Sequence, residues 1–130
     1  MSVERVNPPE LAPARGFSHA VIGHGTVVFL AGQTALDAGA RIIGTDVVEQ
    51  FEHALANLLA ALRTAGGRPD QLAGLTVYAT DLAAYKSRAS EIGAVWRRLV
   101  GTDYPAMAAI GVARLWDDEA LVEVQGFAAV

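Results

Sequence analysis

The chain has 130 residues, 52% of them apolar, a mean hydropathy of +0.31 and a formal net charge of −4. That balance excludes a disordered polymer and fits one domain of ordinary size over residues 1–130. A single lysine (Lys86) and nine arginines, scattered apart from Arg97–Arg98, provide no basic face for nucleic acid or an anionic membrane, and zero cysteines remove disulfides and thiolate chemistry.

Residues 1–15 hold Pro8, Pro9 and Pro13 and read as an irregular leader. They lack the apolar core of a signal peptide, and no apolar run reaches the length of a membrane span, so the expected location is cytoplasmic. Ser18–Ile22 and Thr26–Ala31 are β-branched runs joined by Gly23-His24-Gly25, which predicts a hairpin. Thr34–Gly44 reads as a loop, with room for a short strand at Ala40–Ile43.

Asp46–Ala65 carries Val47, Phe51, Leu55, Leu58 and Leu62 at helical spacing, with Asp46 and Glu49 placed as a capping box and Gly66-Gly67 as the stop. Leu72–Thr80 alternates as a strand. Asp81 opens a second predicted helix, Leu82–Val100, with Tyr85, Ala89, Ile92, Trp96 and Leu99 on one face. Gly93 within it is expected to mark close packing, since an internal glycine costs ~1 kcal/mol against alanine. Ala106–Val112 is apolar throughout and predicts a strand buried on both faces; Ala120–Ala128 is the last strand.

The predicted order is β-β-(β)-α-β-α-β-β, an α+β fold with a mixed β-sheet and two helices on one face. The other sheet face then has no cover from the chain itself. Together with the small charged fraction of 18%, this predicts an oligomer in which a second copy supplies the cover.

Glu123 is the residue that points to chemistry, because it interrupts the apolar alternation of the last strand between Val122 and Val124. A carboxylate there is either a general base or water-positioning group in a pocket between subunits, or a group on a wet face paired with an arginine such as Arg114. The histidines His19, His24 and His53 lack metal-ligand spacing, so no metal is expected. Ser18 and His19 are adjacent in a strand and point to opposite faces, which argues against a serine nucleophile.

Taken in order, Gly16-Phe17-Ser18-His19-Ala20-Val21, Val28-Phe29-Leu30-Ala31-Gly32-Gln33, Glu49-Gln50 through Asn57-Leu58, Leu75-Thr76-Val77-Tyr78-Ala79-Thr80-Asp81, Tyr104-Pro105-Ala106 and Ala120-Leu121-Val122-Glu123-Val124 resemble the RidA/YjgF family of enamine/imine deaminases over nearly the whole chain. The resemblance implies a chorismate-mutase-like fold and a homotrimer with a central barrel and pockets between subunits. It also implies cofactor-free hydrolysis of 2-imino or enamine acids to 2-keto acids and ammonia.

Glu123 matches the family's water-orienting glutamate and Gly32 its pocket glycine. Where the family carries a carboxylate-gripping arginine, after Pro105-Ala106, this chain has Met107. Phe17 stands for a tyrosine, Ala31 for a small polar residue and Ala89 for an asparagine. Methionine cannot make arginine's two-pronged bond, a loss of at least ~2–5 kcal/mol of binding by analogy with buried charge pairs. The resemblance therefore implies non-standard specificity for an apolar or neutral substrate against Phe17, Ala31, Gly32 and Met107, with Glu123 catalytic. The alternative is a non-catalytic small-molecule-binding or protein-stabilising homotrimer.

Overall fold

The computed structural model of the protein describes residues 2–130. Its strands are β1 (Val3–Val6), β2 (Ala20–Gly23), β3 (Val27–Gln33), β4 (Leu72–Ala79), β5 (Ala106–Gly111) and β6 (Val122–Ala129), and its helices α1 (Val47–Thr64), α2 (Leu82–Ser87) and α3 (Ala89–Leu99). The main sheet has the order β3-β6-β4-β5 and is mixed: β5 runs parallel to β4, and the other pairs are antiparallel. This is the α+β arrangement the alternation of patterns predicts.

α1 forms where the spacing places it, because both of its ends are chemically specified. The Asp46 carboxylate accepts from the Glu49 N–H (2.9 Å), and Glu49 reaches back to the Thr45 N–H (2.9 Å). At the other end Gly66 takes φ +92°, so its N–H reaches Arg63 O while that of Gly67 reaches Leu62 O. The intervening stripe Phe51, Ala54, Leu55, Leu58 and Leu62 is fully buried against Leu75 and Val77 of β4, Val122 and Val124 of β6, and Ile92 and Trp96 of α3.

Four expectations are corrected. The two runs flanking Gly23-His24-Gly25 do not form a hairpin: β2 pairs with β1 and β3 with β6. The glycines instead carry the chain from one sheet to the other, with Gly25 at φ +103° and so close to the chain end that a Cβ would lie 2.5 Å from Val130 O. The leader is not wholly irregular, since Val3 and Val21 pack on Ala73 and Ala129 in a second small core.

The long second helix is two helices broken at Arg88 (φ −106°, ψ 19°), whose N–H divides between Ala84 O and Tyr85 O, both 3.2 Å away. Finally, β5 is an edge strand, and Ala108, Ala109 and Ile110 are exposed rather than buried. The short strand allowed at Ala40–Ile43 reduces to a single bridge between Leu36 and Ile42 around Ala40, which sits at φ 60°.

The helices cover one face of the sheet. The other exposes Phe29 (84% of its surface), Val27, Phe127 and Ile110, so the chain leaves an apolar sheet face open to solvent. Half-buried against Phe51 at a ring-centroid distance of 6.1 Å, the Tyr85 phenol is pushed up from 10.0 to about 12 by desolvation. The folded state holds this phenol neutral, so its contribution to stability is complete below pH ~10 and lost as pH rises toward ~12. In an ultraviolet titration the last phenol to ionise, near pH 12, should be absent in Tyr85→Phe.

Candidate functional site

Two strands bring Glu123 to a glycine. On β6, Glu123 lies on the open sheet face opposite Tyr78 of β4, whose hydroxyl is held by Gln125 Oε1 at 3.1 Å. Its carboxylate rests on the backbone of Gly32 in β3: a Cβ there would lie 2.5 Å from Oε1 and 2.9 Å from Cδ. Any side chain at position 32 would evict the carboxylate, which is a physical reason for glycine. The contact sits where the β3–β6 register shifts between Leu30 and Gln33, so the irregularity of β3 turns its backbone toward the carboxylate.

Two carboxamides of α1 pin the approaches to this contact. Gln50, itself buried, donates to Gly44 O and Glu119 O and accepts from the Leu121 N–H at 2.8 Å, two residues before Glu123. Asn57 donates to Thr34 O (3.1 Å) and Leu36 O (2.9 Å), just past the end of β3. The half-buried Glu123 carboxylate enters none of the ion pairs among the described residues. In particular, Arg114 does not pair with it, because that guanidinium is taken by Asp118 at 2.8 Å in an exposed turn.

The remaining candidates fall in a second place. Met107 is the register partner of Leu75, three residues from Tyr78, so it points to the helix side of the sheet and packs on the main core. It lines a cleft of about 360 Å³ between α3 and the Tyr104–Met107 segment. Ala89, the position where the resemblance has asparagine, lines the same cleft.

Phe17 reaches the neighbourhood of this cleft through Ser18, which forms a single bridge with Ala106. The Ser18 hydroxyl is buried and donates to Tyr104 O at 2.7 Å, so this serine holds a wall in place. His19 is likewise occupied, with Nε2 2.7 Å from Ala12 O and its ring edge-on to Phe17.

Within one chain the structure therefore unites Gly32 and Glu123, with Ala31 exposed beside them, and places Met107 and Ala89 on the opposite side of the sheet. Sequence reasoning missed Tyr78, Arg15 and Arg97, the last two lining the Met107 cleft. The signal for Arg97 was Gly93: a Cβ there would meet no backbone but Arg97 Nη1, at 3.2 Å. Gly93 makes room for a guanidinium rather than for a packed helix, which corrects its sequence reading. Among the described residues no group of three or more His, Asp or Glu side chains could hold a metal ion, and no helix is long and apolar enough to cross a membrane.

Comparison with known proteins bears on the whole chain. A family model described as endoribonuclease L-PSP matches residues 8–130. A RutC family protein of Pyrococcus abyssi is 30% identical over 105 residues, 80% of this chain and 79% of its own, and the RutC family protein UK114 of Drosophila melanogaster is 31% identical over 114 residues, 87% and 78% of the two chains. Among solved structures, a conserved Rid-family protein, YyfB, of Yersinia pestis superimposes with a TM-score of 0.91 at 30% identity, covering 100% of both chains. Rv2704 of Mycobacterium tuberculosis, a member of the YjgF/YER057c/UK114 family, gives a TM-score of 0.67 at 30% identity over 99% of this chain and 100% of that one.

Proposed function

Because the chain belongs to the YjgF/RidA family, we propose that it is a cytoplasmic, homotrimeric enamine/imine hydrolase of non-standard specificity, one domain per subunit, whose sites form between subunits. The observation that carries this reading is the Glu123–Gly32 contact: an acidic side chain without an ion-pair partner, seated on bare backbone. Such a group can accept a proton from a water molecule as that water adds to an imine carbon. Return of that proton to nitrogen gives a neutral carbinolamine, and transfer of the carbinolamine's hydroxyl proton to the nitrogen through the same carboxylate breaks the C–N bond to give a carbonyl compound and ammonia. An enamine enters the same sequence after protonation at carbon.

The subunit arrangement is supported by the layout of the candidates. Glu123 and Gly32 lie on the open sheet face, Met107 and Ala89 on the helix side, and both β3 and β5 are sheet edges. A neighbouring copy that covers the open face supplies the route by which the cleft of one subunit meets the carboxylate of another. Phe29 is the exposed anchor of that face, so Phe29→Asp should shift the wild-type trimer toward monomer in sedimentation equilibrium. An unchanged trimer in the variant would remove the face from the interface.

The catalytic claim is tested on purified trimer with imines released in situ by an amino-acid oxidase acting on several amino acids, and with neutral imines formed from simple amines and ketones. Accelerated decay of at least one is the expected result, and decay at the uncatalysed rate for all of them overturns the hydrolase reading. The second reading, a trimer that binds small molecules without turnover, is favoured by Met107, whose packing on the core puts an apolar group where the resemblance has arginine. An endoribonuclease activity, the description attached to the matching family model, has no support from a chain of net charge −4 with one lysine.

A further inference from the structure

Arginines in this protein mostly have partners. Arg68, Arg88, Arg98 and Arg114 pair with carboxylates, and Arg5 donates to Tyr104 O and Asp70 O. Arg15, Arg41, Arg63 and Arg97 enter none of the ion pairs or side-chain hydrogen bonds among the described residues, and of these the exposed Arg15 and Arg97 line the cleft that holds Met107. No aspartate or glutamate lines it, so in a chain of net charge −4 this cleft carries two positive groups and no negative one.

The rest of the wall is flat and apolar. Trp96 and Tyr104 stack with centroids 6.0 Å apart and planes 18° from parallel, and Ile92 and Met107 close the sides. Trp96 is buried, and its indole N–H has no hydrogen-bond partner. Gly93 lets the Arg97 guanidinium fold back one helical turn over the α3 backbone, toward the side that Ala89 and Gly93 present to the cleft.

We propose that this cleft binds a small carboxylate with a planar apolar body, its anionic end held by Arg97 and Arg15 in place of the arginine that Met107 displaces. The volume of about 360 Å³ lies at the low end for small-molecule sites. A guanidinium recognises a carboxylate with two parallel hydrogen bonds, while the aromatic pair and Met107 take the apolar body. The consequence for specificity is that the substrate keeps a carboxylate but presents it to Arg97 of α3 and Arg15 ahead of β2 rather than to a residue of β5. This deepens the hydrolase reading and rests on it for the word substrate, whereas the binding claim stands alone.

The test uses phenylacetate and its uncharged counterpart phenylacetamide, titrated calorimetrically into the wild-type assembly. Phenylacetate should bind about 10-fold or more tightly than the amide, the margin of a charge-assisted contact. Arg97→Ala should abolish that preference, Arg97→Lys should keep part of it, and Gly93→Ala, which crowds the guanidinium, should weaken it. Arg114→Ala, remote and paired with Asp118, should leave both affinities unchanged.

Equal affinity for acid and amide, a preference that survives in Arg97→Ala, or no binding of either probe overturns the proposal. Preferential phenylacetate binding by a trimer that hydrolyses no imine keeps this inference and sinks the hydrolase reading. Imine turnover with no acid preference does the reverse.

Discussion

On the proposed hydrolase reading, Glu123→Gln is expected to lower imine turnover by about 10²–10⁴-fold, the usual loss when a positioned proton acceptor is removed. The substitution keeps the shape of the side chain, and Glu123 enters no ion pair whose loss would unfold β6, so thermal stability should move little. On that reading the effect belongs to kcat, with KM near its wild-type value, because the role proposed for the carboxylate is on water and not on the bound substrate's charge.

Gly32→Ala tests the same contact from the other strand: the new methyl lies 2.5 Å from the position of Oε1, so the carboxylate must swing away while remaining ionisable. A displacement of that order costs roughly 10²-fold in a reaction that depends on alignment. Full activity in Glu123→Gln would remove this residue from the chemistry altogether.

What the sequence exposes and what it hides divides by the range of the determining contacts. α1 is legible because its cap, stripe and stop all lie within 22 residues, Asp46 to Gly67, and each is chemically specified. Glu123 is legible as an anomaly, since one carboxylate in an apolar strand breaks a local rule. Its seat is not: Gly32 is 91 positions away in number, and only the register of β3 on β6 joins them.

The hairpin at Gly23-His24-Gly25 fails for the same reason. Local turn chemistry favours pairing the two runs, but β6 offers β3 a longer antiparallel partner, and the terminal Val130 closes it with paired Thr26 hydrogen bonds of 2.9 Å. The apolar strand β5 reads as buried on both faces because composition does not report a strand's place in the sheet, and here the strand is an exposed edge. Arg15 breaks no local pattern, and Arg97 stands out in the sequence only as the neighbour of Arg98. Only the fold reveals that they share a cleft without acids.

Gly126→Ala should be the most destabilising conservative change in the sheet, by about 3 kcal/mol, the upper end of overpacking costs, or roughly 10 °C in Tm for a chain of this size. Gly126 faces Leu75 across the central β4–β6 pair, and a Cβ added to it would collide with the carbonyl oxygen of Gly74. That atom is backbone and cannot rotate aside, so the two central strands must part, and the adjacent bulge between Leu72 and Gly74 is already the least regular point of the ladder. Thermal denaturation at matched protein concentration reads the loss; a variant within about 1 °C of wild type would show that the strands yield freely.

Gly74→Ala is the informative contrast. Its Cβ would meet the ring of Phe127 at 2.7 Å, and that ring is a half-exposed side chain able to swing outward. The cost in the isolated chain is smaller, but the displaced ring disturbs the apolar face on which Phe29 stands. The two glycines thus have separable physical tasks: Gly126 keeps β4 and β6 in contact, and Gly74 lets Phe127 lie flat against β4, which shapes the surface that a second subunit would cover.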